Sequence, residues 1–187
     1  MKLIPDSSFF ICFFGDLEGL LDDAVRIEYF IRFLNSFTVE VTPIVYEEIT
    51  EKNDITLFES KLSLLQIDSA IERSSSILQY LKPIFAKGEF EVICMSFYYN
   101  TNGISDFFGV LDDGKARELV IEYISEIRGC IIGTIGLIRF CNYHFHIFTS
   151  VEAINILEQI KKSNFRISPK IVDNEILKLK KVENGTN

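Results

Sequence analysis

The chain has 187 residues, 48% of them hydrophobic, enough for one core and in favour of one domain rather than two. Its net charge of -8 argues against a nucleic-acid binder that works through a broad basic surface, and its wealth of Phe, Ile and Leu argues against disorder. The charge is uneven: from Lys161 onward seven Lys/Arg face three acids, whereas the first 160 residues carry 12 basic and 24 acidic groups.

In chain order, "KLIP" (2–5) reads as a short strand running into "DSS". Residues 22–34 have apolar side chains at helical spacing, with two acids in the first turn. "TVEV" (38–41) alternates like a strand, and Pro43 opens a short helix, "PIVYEEIT". Residues 53–67 are ambiguous, with "LSLLQI" a candidate strand, and 69–82 reads as one helix closed by Pro83. "KGEFEVICMSFYYN" (87–100) is a helix whose Val92, Ile93 and Ser96 share a stripe. "FFGVL" (107–111) reads as a buried strand, and 113–127 as an amphipathic helix. "CII" (130–132) is a strand, and "GTIGLIRFC" starts another helix. Two more helices are expected at about 150–161 and 169–181, the second begun by Ser168-Pro169. This alternation means an α/β fold with a mainly parallel sheet covered on both faces. A single domain over 1–182 is expected, with 183–187 as a flexible polar tail.

Cys12, Cys94, Cys130 and Cys141 show no C-x-x-C spacing and sit among apolar residues, so they read as buried, reduced thiols. "FFICFF" is too short to span a membrane, and no signal peptide is visible, so a soluble cytoplasmic protein without membrane contact is expected.

Ligands of open α/β sheets bind beyond the carboxyl ends of the strands, so acids that follow strands matter. Asp6 follows the first strand, and Asp112 and Asp113 follow "FFGVL". Two glutamates stand out on helices. Glu48 shares the apolar face of Ile44 and Val45, with Glu47 off to the side; Glu89 precedes Val92 and Ile93 on the inward stripe, with Glu91 turned off it. For either glutamate alone, the plain explanation is a helix-start acid favoured by the dipole. Together, four elements each offer an acid, with no evident set of arginines to neutralise them. Such hard oxygen donors suit Mg²⁺ or Mn²⁺, which activate water and stabilise phosphoryl transition states.

These residues resemble the PIN-domain family of metal-dependent nucleases, prokaryotic VapC-like toxin ribonuclease branch, along nearly the whole chain. "LIPDSS" resembles the family's opening strand, "VTPIVYEEI" its proline-led helix, and "KGEFEVICMS" a Gly-Glu-x-Glu-x-Ile signature. "VLDDGKAREL" and "IIGTIGLI" resemble Asp-Asp-x-x-Ala-Arg and Gly-Thr-x-Gly motifs, and "NFRISPKIVDNEIL" the C-terminal end. The resemblance implies a three-layer α/β/α, Rossmann-like fold. It implies metal ligation by Asp6, Glu89 and Asp112, with Glu48 and Asp113 completing the catalytic acids. Ser7, Lys115, Arg117 and Thr134 are the implied substrate-binding residues. The implied activity is hydrolysis of single-stranded RNA; an antitoxin protein and a second copy of the chain are the expected partners. The chain departs from a minimal member by extra length around 53–80 and by the bulky "FFICFFG" after the first acid.

Other readings remain. Arg117 lies four residues after Asp113, so it could pair with that acid or meet a phosphate. "HFH" (144–146) alternates like a strand with both His on one side, and further zinc ligands are not evident, so a surface or structural role is expected. A phosphatase using Asp6 as phosphoryl acceptor would want a second Asp two residues on, where Ser8 stands. A catalytically silent PIN-like interaction module is the other alternative.

Overall fold

The computed structural model describes residues 1–183 and has five strands: β1 (Lys2–Pro5), β2 (Thr38–Val41), β3 (Leu62–Leu64), β4 (Phe107–Val110) and β5 (Ile131–Ile132). They form one all-parallel sheet in the order β3-β2-β1-β4-β5. From β1 the chain builds outward to β2 and β3, then returns to place β4 on the other side of β1. Strand order therefore reverses between β1 and β4, where a parallel sheet opens a crevice at its carboxyl ends. The register pairs Pro5 with Val110, which leaves Asp6 and Leu111–Asp112 as the first residues beyond that seam.

The described residues form two compact units. One holds Met1–Phe10 and Phe37–Gly133; the other holds Ile11–Ser36 and the chain from Thr134 onward. The sheet lies wholly in the first. There, α3 (Pro43–Lys52), α4 (Ser69–Arg73), α5 (Ser76–Leu81), α6 (Lys87–Thr101) and α7 (Gly114–Tyr123) join the strands, and α6 lies against β1 and β4. Gly109 permits that approach. A Cβ there would stand 2.5 Å from Ser96 Oγ of α6 and 2.7 Å from Ile131 Cδ1 of β5. Three polar groups tie β1 and β2 to α6: Lys2 Nζ (2.5 Å) and Tyr99 Oη (2.7 Å) both donate to the buried Glu40 carboxylate. Burial and that carboxylate push the Tyr99 hydroxyl up to about 12.

The second unit is helical. It contains α2 (Asp23–Ser36), α8 (Thr134–Phe140), α9 (Ser150–Lys162) and α10 (Pro169–Glu183). The short α1 (Ser7–Ile11) ends where this unit begins and runs into a wide π-helical turn, Cys12–Asp16. The "FFICFF" segment fills cores: Phe10 stacks on Phe58 in the first unit, and Phe13 packs on Phe30 and Phe33 in the second. The buried Arg26 guanidinium secures the wide turn by donating to the Phe13 carbonyl at 2.8 Å. Thr149 and Glu152 cap α9 reciprocally, and Arg32 makes a two-pronged bond to the same Glu152.

Four expectations are corrected. The helix expected over 69–82 is two short helices, because Asp68 and Ser75 each cap a new start and the serine run competes for backbone N–H groups. The helix expected over 113–127 stops at Tyr123. A 3₁₀ turn, Ser125–Cys130, follows, and its three-residue winding keeps both Ile124 and Ile127 buried. Cys130 closes that turn and is half-buried, so the strand there is only Ile131–Ile132. "HFH" is not a strand. His144 and Phe145 belong to a wide turn, Cys141–Phe145, and His146 ends it in the left-handed region at φ 53°. Local bonds set this, from Ile147 N to the Cys141 carbonyl and from Asn142 Nδ2 to the Phe148 carbonyl. Both His are exposed, as a surface role requires.

The other three cysteines are buried, and burial pushes the Cys94 thiol up to about 12 and the Cys141 thiol higher still. Glu183 ends α10; the rest of the expected tail lies outside the described residues. Among those residues no helix is long and apolar enough to cross a membrane.

Candidate active site: an acidic seam between two parallel strands

Asp6 leaves the end of β1 almost fully buried, at 2% exposure. Its carboxylate turns back onto backbone: Oδ1 accepts from Phe9 N in the first turn of α1, and Oδ2 accepts from Asp112 N across the seam, both at 3.3 Å. Asp112 is buried as well, at 9% exposure. Burial raises the Asp6 carboxyl well above the ordinary aspartate range, and the negative charges of Asp112 and then Glu89 push it further. The two backbone bonds oppose this and do not cancel it. Among the described residues, no cation contributes to holding Asp6 ionised.

The other expected acids continue the same field. Glu89 is half-buried in the first turn of α6, where Oε2 accepts from Ala86 N at 3.2 Å. Its carboxyl is raised by burial, then by the charges of Asp113 and Glu48. Glu48 is half-buried on α3, with its carboxylate against the start of α6: a Cβ on Gly88 would stand 3.2 Å from Glu48 Oε2. Glu47 points to solvent, as its helical position predicts. Asp113 caps α7 by accepting from Ala116 N at 2.7 Å. The structure thus strings Asp112, Asp6, Glu89, Asp113 and Glu48 into one chain of mutually repelling charges. Helix N-termini face Asp6, Glu89 and Asp113, which is what stabilises these charges in the bare protein.

Glu91 corrects the sequence reading. It is half-buried rather than turned away, and its Oε2 accepts from Ile44 N at 2.9 Å, so it caps α3 from a neighbouring helix. Burial is the main cause of its raised carboxyl. Helical periodicity finds which face a residue occupies but not a second helix whose N-terminus meets that face, so sequence carried no signal for this role.

Of the expected substrate contacts, Ser7 is half-exposed at the head of α1, and Lys115 is exposed in the first turn of α7. Arg117 points back along α7 to donate Nη1 to the Leu111 carbonyl. Its guanidinium and Asp112 Oδ1 flank the same point above Gly133: a Cβ there would stand 2.8 Å from Arg117 Nη1 and 3.2 Å from Asp112 Oδ1. One cation therefore stands beside the seam, next to Asp112. Thr134 is fully buried as the first residue of α8, in the second unit.

In kind, these donors fit a hard divalent cation, since all are carboxylate oxygens. In placement, they stand apart. Among the described residues, no three of His, Cys, Asp and Glu are close enough together to hold one metal ion. Binding would require the carboxylates of Glu89 and Glu48, which are half-exposed and rotatable, to swing toward Asp6 and Asp112. No protein-family model, curated protein or solved structure matches this chain.

Proposed function

We propose that the first unit is the catalytic part of a PIN-like ribonuclease that hydrolyses phosphodiester bonds of single-stranded RNA with Mg²⁺ or Mn²⁺. The observation that carries the reading is the buried Asp6–Asp112 pair at the strand-order reversal, where burial and the charge of Asp112 raise the Asp6 carboxyl and Glu89 adds to the same field. A fold gains nothing by burying like charges unless something positive joins them. Asp6, Asp112 and Glu89 would hold the ion, with Glu48 and Asp113 beside them. When bound, a divalent ion supplies Lewis acidity and lowers the pKa of water. The chain's own part is to keep the pair dry and oriented through the Phe9 and Asp112 amides, and to offer Arg117 and Lys115 to phosphate oxygens. A three-layer fold, an antitoxin partner, a homodimer and a cytoplasmic setting belong to the same proposal.

Titration calorimetry with Mn²⁺, on wild type and on Asp6→Asn and Asp112→Asn, tests the binding. Cleavage of unstructured RNA oligonucleotides by the same proteins tests the chemistry. The reading expects ion binding and cutting by wild type, both lost in either variant. Protein that stays inert across several RNAs and both ions sinks it, as does cutting that survives both substitutions.

A silent interaction module is the second reading. It is favoured by the capping bonds that already occupy Asp6, Glu89 and Asp113, and by the absence of three converging donors among the described residues. An inert wild type that binds no ion would support it.

A further inference from the structure

The helix α3 begins without a cap of its own. Thr42 stands just before it but makes no side-chain bond to its first turn. Pro43 comes next and has no N–H, so Ile44 carries the first backbone donor of the helix. That donor is met from another element. Glu91, half-buried in the second turn of α6, accepts it on Oε2 at 2.9 Å. The bond is made against like charges, because Glu72 of α4 and Glu48 of α3 both act on the Glu91 carboxyl.

A second contact lies one turn further along α3. Gly88 is buried three residues before Glu91, on the same side of α6, and its lack of a side chain lets Glu48 come close. A Cβ there would stand 3.2 Å from Glu48 Oε2 and 3.2 Å from Val45 Cγ2. The first turn of α3 is thus held to α6 twice, at Ile44 by a hydrogen bond and at Glu48 by close approach. Glu89 follows Gly88 directly, and the charge of Glu48 acts on it. The cap on Ile44 therefore fixes where Glu48 stands relative to Glu89, while Glu91 keeps its own oxygen engaged on the backbone. We propose that Glu91 is a positioning residue for divalent-ion binding, clamping α3 to α6 and so holding Glu48 beside the acidic seam. The proposal rests on the reading of that seam as an ion site. The clamp needs reach from α6 to the Ile44 amide rather than charge, which separates it from the role of a ligand.

Titration calorimetry with Mn²⁺ on the full chain tests it. Glu91→Gln keeps the length and an acceptor oxygen, and binds Mn²⁺ like wild type. Glu91→Asp keeps the charge but is one methylene too short for Ile44, and binds about ten-fold more weakly, as loss of an outer partner does. Because Glu91 acts through Glu48, Glu91→Asp made on top of Glu48→Gln adds no further loss. Equal losses in Glu91→Gln and Glu91→Asp make charge the cause and overturn the proposal. Wild-type affinity in Glu91→Asp overturns it too, as do additive losses in the double variant, which a merely structural role would give. So does a Glu91→Asp chain without a cooperative urea transition, which would make Glu91 a determinant of the fold. In all these cases wild type still binds the ion and the nuclease reading stands; wild type that binds no Mn²⁺ overturns both.

Discussion

The Asp6 carboxylate accepts the backbone N–H of Asp112 at 3.3 Å, so the two buried acids are joined through main chain while their charges repel. That bond fixes where the second carboxylate stands without neutralising either one.

Removing the charge from Asp6 should stabilise the metal-free protein. Each pKa unit of upward shift corresponds to about 1.4 kcal/mol against the ionised form. Asp6→Asn removes the charge while keeping the shape and one of the two backbone acceptors, so its urea midpoint without divalent ions should rise. A lowered midpoint would show that the backbone bonds outweigh the burial of charge.

The same shift gives a pH dependence. Between the ordinary aspartate value of 3.8 and the raised value of Asp6, the folded chain keeps a proton that the unfolded chain has lost. Stability contributed by Asp6 is therefore present at low pH and declines as pH rises through that window. Glu89 and Glu91, also raised, add slopes of the same sign. Denaturant melts from acidic to neutral pH, without metal, should show the decline in wild type and a shallower one in Asp6→Asn. Identical slopes in the two proteins would count against Asp6 as the source.

Asp112 and Asp113 should separate by substitution. Asn is as good a helix cap as Asp, so Asp113→Asn should leave stability nearly unchanged, while Asp113→Ala should cost about 1 kcal/mol. Asp112→Asn should weaken Mn²⁺ binding more than Asp113→Asn does. Calorimetry showing the opposite order would make Asp113 the principal ion ligand of the two.

Gly109→Ala should destabilise by about 1–3 kcal/mol, because its Cβ meets Ser96 Oγ at 2.5 Å. Adding Ser96→Ala removes the blocking oxygen and should recover part of the loss, leaving the contact with Ile131. Purely additive losses in the double variant would mean that α6 shifts bodily and Ser96 is not the obstacle.

The strands, the long helices and the acids beyond β1 and β4 were legible in the sequence because alternation, helical periodicity and capping residues are local signals. The parallel sheet followed from the alternation of elements. What stayed hidden depends on residues far apart. The Glu91–Ile44 bond needs two helices to meet, and the place of Arg117 depends on Gly133 having no side chain. Ser74–Ser75 and Ile124 ended helices because local hydrogen bonding and tighter winding beat a continuous apolar stripe. The periodicity of "HFH" fitted a strand, but the bonds of Asn142 and Ile147 wound it into a turn.

The central strand of the sheet is the first to be made. β1 ends at Pro5, and the neighbour that completes the seam, β4, begins at Phe107. A chain growing on the ribosome therefore carries Asp6, Glu48 and Glu89 for a long interval before the seam exists. Only when β4 docks beside β1 is Asp6 sealed against Asp112. Whatever that pair does is withheld from every nascent fragment that stops short of it.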